Sequence, residues 1–119
     1  MTFKLSTKSG NDKCPYIFKD IMVFVSDRPG GQGGFDIYIS KYVNSQWTAP
    51  ENLQVFLKRT GNITAEFNSV GDEYRPAVSQ IFASSIPSPW VFLFSSNRQG
   101  GQGGFDLYLG IVPELKLDK

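Results

Sequence analysis

Two glycine-rich stretches of the chain carry oxygen-bearing side chains, Asp27 and Asp36 in the first and Asn97 and Asp106 in the second. Carboxylates and amides held on a loop are the ligands a hard cation such as calcium takes. The nonapeptide calcium repeat Gly-Gly-x-Gly-x-Asp, however, has one residue before its aspartate where these loops have two, and it recurs in tandem. With so few carboxylates per loop, a metal site at Asp27, Asp36 and Asp106 is the alternative reading. The leading one is structural, because aspartate commonly accepts hydrogen bonds from nearby backbone N–H groups. Arg28 and Asp36 flank the first loop, and Arg98 and Asp106 the second, so an ion pair or carboxylate-to-backbone bonds would close each base.

Other chemistry finds little support. The chain has no histidine, which removes the usual proton shuttle and the commonest transition-metal ligand. The single Cys14 precedes Pro15 with no recognisable general base, and reads as a packed or exposed thiol. Asp72 and Glu73 are adjacent, point to opposite faces of a strand and make no paired-carboxylate site. Trp47, Tyr74, Phe82 and Trp90 could stack on sugar, but aromatics in such numbers more often serve the core of a small β domain. No cofactor is expected. A net charge of +1 with scattered lysines and arginines gives no footprint for nucleic acid. No apolar run is long enough for a transmembrane segment, and no signal sequence is recognisable, so the compartment stays open.

The elements that position these residues come as a repeat. Ser26 to Ser40 recurs as Ser96 to Gly110, with ten of fifteen positions identical at an offset of 70. One supersecondary unit is therefore used twice. Ile21 to Val25 and Trp90 to Phe94 each read as a strand buried on both faces. After the glycine loop, Phe35, Ile37 and Ile39 alternate with Asp36 and Tyr38, as Phe105, Leu107 and Leu109 alternate with Asp106 and Tyr108. Each copy is thus a β-hairpin around a long loop. Gly30, Gly31, Gly33 and Gly34, matched by Gly100, Gly101, Gly103 and Gly104, cost conformational entropy, so the loop must need positive φ or close backbone approach.

Upstream, Gly10 to Pro15 resembles Gly71 to Pro76 at an offset of 61, so the second unit holds nine extra residues, placed within Gln80 to Trp90. Tyr16 to Phe18 and Ala77 to Ser79 read as short first strands, Lys19-Asp20 and Asn44-Ser45 as turns, and Gln46 to Thr48 as an outer strand. Thr2 to Thr7 is a candidate strand, and the segment after Ile111 an outer or closing one. The expected organisation is a single all-β domain over residues 1–119, with units at 10–53 and 71–119 joined by a connection at 54–70.

The order of a proline-containing first strand, an aromatic strand ending Phe-Ser-Ser-Asn-Arg, Gly-Gly-Gln-Gly-Gly-Phe-Asp-Leu-Tyr and Trp-x-x-Pro-x-Asn-Leu resembles the TolB-type, WD-like β-propeller repeat. That family occurs in bacterial envelope proteins, many joined to an OmpA-like domain. The resemblance implies two antiparallel four-stranded blades. Ser26, Arg28, Phe35, Asp36 and Tyr38, with Ser96, Arg98, Phe105, Asp106 and Tyr108 and the loop glycines, match its structural positions. It also implies a periplasmic or outer-membrane-associated setting for a longer parent chain. The chain shows no OmpA-like domain, so peptidoglycan anchoring is not carried over.

Blades bury their faces only against neighbours, so two leave apolar faces uncovered. A partial propeller, a homo-oligomeric ring or a sandwich of the two sheets would resolve this. The functional expectation is a non-catalytic binding or scaffold module engaging a protein partner or itself. Calcium binding and carbohydrate binding are the alternatives.

Overall fold

Asp12–Phe18 (β1), Ile21–Ser26 (β2) and Asp36–Val43 (β3) form an antiparallel meander, extended by Gln46–Trp47 (β4) and by Glu51–Asn52 (β5), both on β3. The structure is a computed structural model that describes residues 10–61, 66–80 and 89–115. The helix Leu53–Arg59 (α1) then leads towards a second antiparallel sheet of Glu73–Gln80 (β6), Trp90–Ser96 (β7) and Asp106–Val112 (β8). The class is all-β. The second sheet has three strands among the described residues, where four were expected, and β8 has β7 as its one hydrogen-bonded neighbour among them. Phe82 and Thr2 to Thr7 lie outside the described residues, as does most of the 80–90 insertion.

The first strands are longer than Tyr16–Phe18 and Ala77–Ser79, because each runs through a bulge. Pairing slips between Lys13 and Tyr16 in β1 and between Tyr74 and Ala77 in β6. Cys14 and Arg75 take positive φ of 57° and 50° there, each just before a proline. Proline offers no N–H to the ladder, so the chain spends an extra residue where a regular pair cannot form. The Lys19 and Asn44-Ser45 turns also carry positive φ, which suits tight antiparallel connections.

The helix α1 lies mostly within the connection between the units, read as 54–70, where the sequence reading did not place it. Asn52 caps it, its side-chain oxygen accepting from Gln54 N and Val55 N, and Leu53, Phe56 and Leu57 form one buried face. The Oε1 of Gln54 accepts from the N–H of Phe67 and of Asn68, fixing the returning chain.

The two sheets share one core, in which Ile21, Val23, Val25, Ile37 and Ile39 meet Val78, Phe92 and Phe94, with Phe67 and the α1 face between. β6 is the strand of the second sheet whose backbone lies against the first, crossing β1, β2 and β3. The first apolar strand is buried throughout, as expected. The second is not: β7 alternates, with Trp90, Phe92 and Phe94 buried and Leu93 exposed. The physical reason is that no described element covers its other face.

Candidate functional site

Both glycine loops are organised around their aspartates. Asp36 Oδ2 accepts from Gln32 N at 2.5 Å and Gly33 N at 3.3 Å, and Asp106 accepts from Gln102 N at 2.9 Å and Gly103 N at 3.3 Å. The backbone alternative is thus the one realised at the loop base, and the Arg28–Asp36 and Arg98–Asp106 ion pairs are not. Arg28 instead pairs with Asp12 at 2.9 Å, and Arg98 stands 3.5 Å from Glu73. Asp12 and Glu73 are the same position of the repeat, at the offset of 61.

The remaining matched positions behave alike in the two copies. Each arginine binds its serine through Nε, Arg28 to Ser26 and Arg98 to Ser96, at 3.0 Å. Each guanidinium then lies over a stacked aromatic pair, Phe24 with Tyr38 or Phe94 with Tyr108. Gly30 and Gly100 adopt positive φ of 96° and 95°. Gly31 and Gly101 leave room for the aspartate, since a Cβ on either would collide with its Oδ2.

The proposed calcium ligands are already engaged elsewhere. Asp27 accepts from Asn11 N and Asn11 Nδ2, and Asn97 Oδ1 accepts from Asp72 N. The Asn11 N–H holds the Asp27 carboxyl below its ordinary range. Among the described residues no three His, Cys, Asp or Glu side chains converge as a metal site would require.

The candidate sugar-stacking residues are dispersed. Trp90 is buried against Phe18, half-buried Trp47 packs on Tyr42, and Tyr74 lies between Phe35 and Phe105. Cys14 is half-buried against the core.

The most chemically loaded point is a junction that the sequence did not single out. Where unit one meets unit two, Phe35 N donates to Asp72 Oδ1 at 2.8 Å and Glu73 N donates to Phe35 O at 2.7 Å. Asn68 completes the junction, accepting from Ile37 N at 2.7 Å and donating to Ile37 O at 3.1 Å. Glu73 is fully buried and takes Ser69 Oγ at 2.5 Å and Ser96 Oγ at 2.9 Å.

Burial pushes the Glu73 carboxyl up, against the pull of these serines and Arg98. Burial also raises Asp36, against the pull of the loop N–H groups and of Glu73. Asp36 Oδ1 is buried with no donor among the described residues, and both carboxyls are held above their ordinary range. The readable signal for Glu73 was its match to Asp12 across the repeat.

Beyond the loops, one face of the second sheet is exposed, with Leu93, Phe105, Leu107, Leu109 and Ile111 all open. No helix among the described residues is long and apolar enough to cross a membrane. No family model matches the chain, and no curated protein or solved structure matches it.

Proposed function

We propose that the chain is a non-catalytic scaffold and binding module, two TolB-type, propeller-like repeat units whose exposed sheet face engages a protein. The observation that carries this is the division of labour on the surface. The loop carboxylates are spent on loop backbone, while five large apolar side chains on β7, β8 and the preceding loop residue stay in water. A contiguous exposed apolar face of that kind marks an interaction surface. The calcium and carbohydrate readings have no comparable feature behind them.

The reading is tested by placing a photo-reactive residue at Leu107 in the native cell and analysing the adducts. A discrete protein adduct is expected. Adducts with glycan alone, or none at all, would remove the reading.

A further inference from the structure

Within the chain, the two units stack front to back. The front of unit one, formed by Val23, Val25, Ile37 and Ile39, receives the back of unit two through Pro76 and Val78 on β6, both buried. The repeat lets every position of that contact be looked up on the two outer faces. On the front of unit two, Leu107 is 72% and Leu109 60% exposed, where Ile37 and Ile39 are each at 1%. On the back of unit one, Pro15 is exposed and Ile17 is at 60%, where Val78 is at 1%. The chain therefore carries the front half of its own internal interface on unit two and the β1 part of the back half on unit one, both open to solvent.

The loops give the same answer independently. A Cβ at Gly33 would strike the backbone of Ser69 and Val70, and one at Gly34 would strike Asp72, so these glycines admit the leading segment of the next unit. At Gly104 a Cβ would meet nothing within 4 Å, and at Gly103 its nearest neighbour would be 3.9 Å away. Neither residue has positive φ, so nothing local calls for glycine there.

Phe105 is likewise waiting: no described residue bonds its N–H and C=O as Asp72 and Glu73 bond those of Phe35. The matching leading edge exists on unit one. Asn11 N donates to Asp27 at 2.6 Å just as Asp72 N donates to Asn97 at 2.7 Å, which leaves the Asn11 side-chain oxygen as the counterpart of Asp72 Oδ1.

We infer that the front of unit two docks a second copy of this chain through the back of its β1, repeating the internal contact between molecules. Leu107 and Leu93 would cover Pro15 and Ile17 of the incoming copy, and Phe105 would bond its Asn11 and Asp12. Met22, Phe24 and Tyr38 of unit one are already buried, so the contact falls on β1, as β6 carries it within the chain. This inference rests on the binding-module reading and names its partner.

The test is light-scattering mass against the 13.3 kDa chain, from about 1 µM to about 1 mM, for the intact chain and for Leu107→Glu and Ile17→Glu. The intact chain is expected to associate, and each variant to run as a folded monomer, because a buried charge weakens the contact by roughly a hundredfold or more. Mixed together, the two variants are expected to give a one-to-one dimer, since each keeps the half that the other lost.

A monomeric intact chain across that range would overturn the inference, as would association of Ile17→Glu alone, which would mean that fronts pair with fronts. If either variant fails to fold, Gly104→Val replaces it: open space admits the side chain, so its melting temperature should hold while association falls at least about tenfold. A Leu107 photo-adduct to a different protein, with a monomeric chain, would retain the module and discard self-docking.

Discussion

At the residue scale, Asp36 and Asp106 occupy one repeat position in two environments. Both satisfy two loop amides, but Asp36 is fully buried and Asp106 half-exposed. Asp36→Ala should therefore cost about 1–3 kcal/mol, and Asp106→Ala less, read from urea unfolding of the two variants. Equal losses would show that burial is irrelevant to the loop.

Glu73 offers a pH test. Its carboxyl and that of Asp36 are raised in the folded state, so the native chain binds the proton more tightly than the unfolded chain. The stability these groups give is complete below the ordinary carboxylate range and is lost as pH rises through their raised values. Asp27, held below its ordinary range, runs the other way. The informative quantity is thus a difference: intact chain minus Glu73→Gln, followed by melting temperature, should decline from acid towards neutral pH. A flat difference would show that the Glu73 carboxyl is not raised in the folded chain. Millimolar calcium is expected to leave the melting temperature unchanged, because the loop carboxylates are committed to backbone.

At the element scale, the hairpins were legible and the helix was not. Alternation at Phe35 to Ile39 and the repeat at Phe105 to Leu109 carry a period of two that survives any packing. α1 is only seven residues long, too short for periodicity to stand out, and its cap Asn52 also belongs to β5. The i, i+3, i+4 trio Leu53, Phe56 and Leu57 was the available signal.

Asn52→Ala should cost about 1 kcal/mol or more, since its Oδ1 caps α1 and also accepts from Asn68 Nδ2. Far-UV circular dichroism would show the lost helix, and an unchanged spectrum and melt would count against the cap. The arginine partners were not legible for a different reason: Asp12 and Glu73 are distant in sequence from Arg28 and Arg98, and only β1–β2 and β6–β7 pairing brings them close.

At the scale of the whole molecule, the sheets solve half of the burial problem that two repeat units pose. One front and one back are used up on each other in a common core. Gly34 and Gly104 give the clearest reading of that asymmetry: Gly34→Val should lower the melting temperature by several degrees, because it displaces the Asp72 carboxylate from Phe35 N, while Gly104→Val should leave it within about 2 °C. Comparable losses at both would mean that the second loop is packed as tightly as the first.

The outer edge of β8 has a further consequence. On β3 that edge is occupied by β5 and by the side chain of Asn68, which bonds both polar groups of Ile37. The corresponding edge of β8 has no such cover among the described residues, and it borders the exposed Leu107, Leu109 and Ile111. A bare strand edge beside an apolar strip is a template for disordered sheet growth. Concentrated or heated samples should therefore gel or fibrillate from this strand, and Leu109→Lys, which places a charge along the edge, should delay thioflavin-positive aggregation without altering the soluble fold.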